Sequence, residues 1–158
     1  KRVVAERLGN PVLISGPIVS DTHMAQVLLV GVGGFVGSIA RYLVVSLAQS
    51  AWAGSLPVGT LMVNVAGCFA VGWLSELFET QPFFNSQVRS FLVIGLLGSF
   101  TTFSAFGHET FTLLRHGGAA MAGANIAANV LLTIGGVWLG RIAAQLAGEV
   151  AMSQRGSW

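Results

Sequence analysis

The chain has 158 residues, 53% of them hydrophobic and only 9% charged, with a mean hydropathy of +0.73. A soluble domain carries about 25% charged residues, so this chain cannot cover a water-facing surface and reads as a polytopic membrane protein. Its net charge of +2 excludes a basic nucleic-acid-binding face, and its single cysteine, Cys68, excludes an intrachain disulfide and gives no zinc pattern.

Residues 1–23 differ in character from the remainder of the chain. They hold Lys1, Arg2, Glu6, Arg7 and Asp21, with two prolines and two glycines. Their apolar stretch is interrupted and no small-residue cleavage site comes after it, so they do not read as a secretory signal. Met24 stands just before the first apolar run and is a candidate start. The expected organisation is a leader or tag-like peripheral segment over 1–23, disordered, then one four-helix membrane unit over 24–148 and a short polar tail over 149–158.

The first predicted span is Ala25–Ala48. Gly34, Ser38 and Arg41 share one of its faces, and Gly33 and Gly37 form a Gly-x-x-x-Gly pair. Arg41 lies well inside the span; it either snorkels to the interface or sets a positive potential near the mouth of an anion path. Gly54, Pro57 and Gly59 punctuate the next apolar run, which predicts a second span over Pro57–Phe78. There Thr60, Asn64 and Gly67 fall on one face, and Cys68 reads as a small packing residue.

The third predicted span, Val88–Leu114, contains "GLLGSFTTFSAFGHE" from Gly95 to Glu109. Gly95, Gly98 and the Thr101-Thr102 pair predict a break in mid-membrane. A break frees backbone groups that must be satisfied, and broken membrane helices usually mark ion or substrate sites. Freed carbonyls suit a hard cation; freed amides suit an anion. Phe103 and Phe106, three apart, share a face. The plain reading is lipid-facing or core phenylalanine. Against it stand the hydroxyls of Thr102 and Ser104 alongside. A ring edge is electropositive, so an edge-on phenylalanine can meet an anion that must bind and leave quickly. Glu109 closes this polar section, and its pairing with Arg41 is left open by spacing.

The fourth predicted span, Ala119–Leu146, carries Asn125, Asn129, Thr133, Gly136 and Gly140 at steps of 4, 4, 3 and 4. These share one face. For the glycines, helix packing is the favoured reading. For the file of Asn, Asn and Thr, packing and a water- or ion-lined path stand level. Four spans put both termini and the Glu79–Gln87 loop on one side, with Arg89, Arg141 and Arg155; the other side has Arg41 and Arg115. Three against two is almost no orientation bias, whereas residues 1–23 would raise it to six against two. A chain that inserts both ways up can form an antiparallel two-fold dimer.

The segments "GGFVGSIARY", "PVGTLMVNVAGCFAVG", "GLLGSFTTFSAFGHE" and "NIAANVLLTIGGVWLG" resemble, in order and spacing, the CrcB/Fluc family of fluoride channels, over about Met24 to Leu146. The resemblance implies an all-α membrane fold with a broken third helix, assembled as an antiparallel, dual-topology homodimer in the inner (plasma) membrane. It implies passive export of fluoride through two pores and no enzyme activity. It places Phe103 and Phe106 as pore phenylalanines, Asn64 as the pore asparagine, and Thr102 and Ser104 as the polar residues after the break. Asn125, Asn129 and Thr133 then form the polar track. Arg41 matches the first-helix arginine; Arg41 and Glu109 are each expected to be vestibule or structural residues. The backbone carbonyls of Gly98 and Thr101 match those that hold a central structural sodium ion. The chain departs from the common pattern at Ser99, where glycine is usual, at Ala105, where threonine is usual, and at Asn125 and Asn129, where many members have tyrosine and serine.

A small dual-topology, proton-coupled multidrug exporter is the alternative. It needs a membrane-embedded carboxylate, and here only Glu109 lies in the polar section of a span. A non-conducting scaffold gains nothing from a broken span. No metal-ligand or catalytic spacing points to an enzyme.

Overall fold

The structure is a computed structural model that describes residues 21–52, 54, 56–80, 84–116 and 118–155. These residues form helices and short connections: α1 (Asp21–Ala51), α2 (Val58–Thr80), α3 (Ser86–Arg89), a π-helical segment (Ser90–Leu97), α4 (Gly98–Phe100), α5 (Phe103–His116) and α6 (Ala119–Arg155). The pieces from α3 to α5 make one interrupted rod. With it, the described residues include four helical stretches long and apolar enough to cross a membrane.

Each stretch outruns its predicted span. Apolar runs report the hydrocarbon core of about 30 Å, whereas a helix ends where its capping and sequence end it. The 37 residues of α6 would reach about 55 Å at 1.5 Å per residue. The segment assigned as a polar tail is helical through Arg155, and α1 opens at Asp21; residues 1–20, most of the expected leader, lie outside the described residues. At α3, Asn85 is the cap: its extended backbone turns its Oδ1 to accept the Val88 amide at 3.0 Å. Gly118, with φ +85°, makes the turn from α5 into α6, a conformation a Cβ would strain.

The predicted break is present, and its position is sharper than the sequence indicates. Gly95 and Gly98 are helical; the chain leaves the helix at Thr101, with ψ 157°, and resumes at Phe103. The π-helical turns over Ser90–Leu97 are not foreseen by the sequence, since no residue there announces them. Such turns recur near functional sites.

Two seams of small residues assemble the bundle. Along the first, α1 lies against the interrupted rod: a Cβ on Gly37 would strike the Leu96 carbonyl, and one on Gly95 the Val30 carbonyl. Along the second, α2 lies against α6: a Cβ on Gly72 would strike the Val137 carbonyl, and one on Gly140 the Phe69 carbonyl. This is packing suited to a bilayer, where lipid tails remove the hydrophobic drive between helices. The side chains inside are few. Val63 is the one fully buried large side chain among the described residues, while Phe35, Leu47, Leu131 and Trp138 lie on the exterior.

The end of the second seam is tied by charge. Arg141 reaches Glu76 (Nε to Oε2, 2.9 Å) and Glu79 (2.6 Å), and Gln145 donates to Glu76 at 3.1 Å. In the sequence alone, Arg141 is only a count towards orientation.

Candidate functional site

The break at Thr101–Thr102 removes helical partners, and the structure shows where the replacements come from. In an unbroken helix the Thr102 amide would donate to the Gly98 carbonyl. It donates instead to Asn64 Oδ1 on α2 at 2.8 Å, and Asn64 Nδ2 donates back to the Thr102 carbonyl at 3.3 Å. One carboxamide thus serves both backbone groups of one residue, as a peptide unit on a neighbouring strand would. Thr102 is buried, so without Asn64 both groups would stand unpaired at a cost of about 1–3 kcal/mol each. Gly67, one turn from Asn64, makes room for the break, because a Cβ there would collide with the Thr101 side chain.

Polar contacts continue from Asn64 across the bundle. Its Nδ2 also donates to Asn129 Oδ1 at 3.2 Å. Asn129 Nδ2 donates to Asn125 Oδ1 at 3.2 Å, and Asn125 Nδ2 to Thr110 Oγ1 at 2.8 Å. Thr133 donates to the Asn129 carbonyl at 2.5 Å. The asparagines on α6 are only 3% (Asn125) and 5% (Asn129) exposed. A buried amide chain of this kind is stable only because each member is satisfied.

Beside the chain lies a cavity of about 220 Å³ lined by Asn64, Cys68, Thr101, Thr102, Phe103, Phe106, Asn129, Val130 and Thr133. The Phe103 and Phe106 rings sit together, centroids 5.4 Å apart and planes at 56°. Phe103 is 83% exposed, at the open side of the cavity. Thr102 Oγ1 accepts from the Ala105 amide at 3.3 Å, capping α5, and shares a 3.2 Å hydroxyl contact with Ser104. Two hydroxyls that share one hydrogen leave a second for another acceptor. The cavity therefore combines apolar ring surface, a hydroxyl donor and carboxamides, with no formal charge on its walls. That set can hold a small anion weakly.

Of the residues singled out from sequence, Asn64, Thr102, Phe103, Phe106, Asn129 and Thr133 meet at this cavity, Thr101 lines it too, and Ser104 adjoins through Thr102. Asn125 stands one turn beyond, in the amide chain. Glu109 is separate: Thr60 donates to its Oε1 at 2.6 Å, while its Oε2 is buried without a partner. Arg41 is half-buried on α1, away from the cavity lining, and among the described residues it makes no ion pair with Glu109. Gly98 is the residue whose carbonyl loses the Thr102 amide. Sequence reading passes over Thr110, and pairs neither Thr60 with Glu109 nor Asn64 with the Thr102 backbone. Only the hydroxyl at Thr110 hints at its part.

The family model described as CrcB-like protein, Camphor Resistance (CrcB), matches residues 28–141. A protein of Methanosarcina acetivorans named fluoride-specific ion channel FluC 1 is 42% identical over 121 residues, covering 77% of this chain and 92% of the relative. One of Elusimicrobium minutum, named fluoride-specific ion channel FluC, is 43% identical over 126 residues, covering 79% and 98%. One of Methanococcus maripaludis with the same name is 42% identical over 122 residues, covering 76% and 96%.

Proposed function

This chain belongs to the CrcB-like family, and from that premise we propose that it is a fluoride-selective, passive ion channel of the inner (plasma) membrane, not an enzyme. The observation that carries this reading is the break at Thr101–Thr102 opening beside a cavity walled by phenylalanine rings, a hydroxyl pair and carboxamides. Relatives that span nearly their whole length with this chain bear the name of fluoride-specific channels.

The chemistry is consistent with a conduit that needs no energy input. Hydrogen fluoride is a weak acid that crosses lipid when neutral and ionises inside. A negative interior then drives the anion outward by about 2.3 kcal/mol per 100 mV. No charged side chain lines the cavity, so its walls offer the anion dipoles: ring edges of Phe103 and Phe106 and a hydroxyl of the Thr102–Ser104 pair. Weak binding also lets it leave. Asn64 holds the break open; Asn129 and Thr133 on α6 line the cavity, and Asn125 backs them from the buried amide chain.

The functional unit we infer is an antiparallel homodimer with two such paths. The support is the near-even arginine balance of residues 24–158, three against two, and the exposure of Phe103 at the open side of the cavity. A second copy would close that side. A structural sodium ion at the dimer centre fits the donors present. The Gly98 carbonyl is deprived of its helical amide, Thr101 leaves the helix with an extended ψ, and backbone carbonyls are the ligands a hard cation takes. When bound, that ion would supply a positive charge at mid-membrane.

The test is fluoride efflux from liposomes holding the purified protein, with a potassium ionophore and no proton gradient. Sustained efflux is expected. A proton-coupled exporter, which would have to work through Glu109, would stall under those conditions.

A further inference from the structure

We propose that Thr110 is a positioning residue of the ion path: its hydroxyl ends a one-way relay of hydrogen bonds that starts at the Thr102 amide and fixes which way the three buried carboxamides face. The proposal rests on the channel reading for its consequence in flux, but not for the relay itself.

The oxygen and nitrogen of a carboxamide are alike in shape, so either orientation fits a given space. Something that cannot turn must choose between them. Here it is the backbone of the break. The Thr102 amide can only donate, so Asn64 must offer Oδ1 to it, at 2.8 Å. That commits Asn64 Nδ2 to acceptors, and it finds the Thr102 carbonyl and Asn129 Oδ1. Asn129 then has Nδ2 left for Asn125, where it meets Oδ1 at 3.2 Å and the backbone oxygen at 3.1 Å. Asn125 in turn must donate, and its Nδ2 meets Thr110 Oγ1 at 2.8 Å. Having accepted there, the Thr110 hydroxyl sends its own hydrogen to the Phe106 carbonyl at 2.7 Å.

The relay thus begins and ends on backbone groups of the same interrupted rod, on either side of Phe103, after crossing α2 and α6. Every bond points the same way. Thr110 is the member that makes this closure possible. A hydroxyl accepts and donates at once; a valine of the same shape does neither. Without that acceptor the Asn125 amide, 3% exposed, has a stranded donor, and turning it round sets its oxygen's neighbour, Asn129, with nitrogen facing nitrogen. Asn129 Nδ2 then keeps only the Asn125 backbone oxygen, and the loosened contact passes back through Asn129 Oδ1 to Asn64 and the cavity wall.

The experiment compares Thr110→Val, which keeps the shape, with Thr110→Ser, which keeps the hydroxyl, each labelled with nitrogen-15 at asparagine and each assayed in liposomes. Thr110→Val is expected to shift the side-chain amide resonances of Asn125, Asn129 and Asn64, with Asn85 at the α3 cap unmoved as the internal control. It should lower fluoride flux by about tenfold, the effect of roughly one hydrogen bond lost in the barrier. Thr110→Ser should recover most of the flux and the parental resonances. If Thr110→Val does not assemble, Thr110→Ala removes the same hydroxyl with a smaller side chain. A shift confined to Asn125, or parental flux in the variant without the hydroxyl, overturns the proposal. Should the parental protein pass no fluoride at all, the channel reading falls, and the resonances alone judge the relay.

Discussion

The α2–α6 pair is joined in two different ways along its length. Towards the Arg141 end, Gly72 and Gly140 let the two backbones touch, and no side chain stands between them. Towards the middle, Asn64 and Asn129 hold the helices together through carboxamides, and a cavity opens beside them. Contact by glycine excludes an ion. Contact by amide leaves space next to polar groups. The same two helices therefore form a sealed seam at one end and a cavity wall in the middle, which the proposed function makes the wall of the path, and the residue type at the interface decides which.

The comparison can be broken most severely at the sealed end. Gly140→Leu drives a side chain into the Phe69 carbonyl. Backbone contact cannot yield as a flexible side chain does, so overpacking of at least about 1–3 kcal/mol is expected, with loss of assembled protein on size exclusion in detergent. Normal assembly would show that the seam is looser than the glycines indicate.

At the amide end, Asn64→Ala strands the amide and carbonyl of buried Thr102. The expected stability loss is about 1–3 kcal/mol for each group left unpaired, read by thermal denaturation, with fluoride flux falling strongly because the break is no longer held. A variant with parental flux would assign Asn64 to packing alone.

The cavity wall itself is tested by Phe106→Leu and, separately, Phe103→Leu. Leucine keeps much of the bulk and loses the ring quadrupole. Assembly should persist while fluoride flux drops at least about tenfold, equivalent to roughly 1.4 kcal/mol in the barrier. Two variants that conduct normally would reduce the rings to packing.

The smallest effect is expected at the charged clasp. Arg141 with Glu79 is a surface ion pair, worth about 0–1 kcal/mol, and the more buried Glu76 keeps its bond from Gln145 when Arg141 is lost. Arg141→Gln should leave flux unchanged and lower the melting temperature slightly; a large drop in flux would mean that the clasp sets the spacing at the amide end.

Much of this architecture is legible in the sequence. Apolar runs between charged residues mark the four spans. Gly98 and Thr101-Thr102 announce the break, and the steps from Asn125 to Gly140 place those residues on one face. Partnerships between helices escape such reading. Asn64 and the Thr102 backbone are 38 residues apart, and Arg141 and Glu79 are 62 apart; whether such residues meet depends on how each helix is rotated, which periodicity within one helix does not encode. The pairing of Glu109 with Thr60, leaving Arg41 elsewhere, is decided in the same way. Thr110 is easily overlooked because a hydroxyl that back-bonds to its own helix is common, and only its contact with Asn125 distinguishes it. The π-helical turns have no residue signature at all.

Passive selectivity for fluoride is the central claim, and a planar bilayer tests it most directly. With the protein incorporated, fluoride salt on one side and chloride salt of the same cation on the other, the zero-current potential should track the fluoride gradient as its concentration is varied. A potential that tracks chloride or the cation, or a membrane that carries no current, would contradict the account.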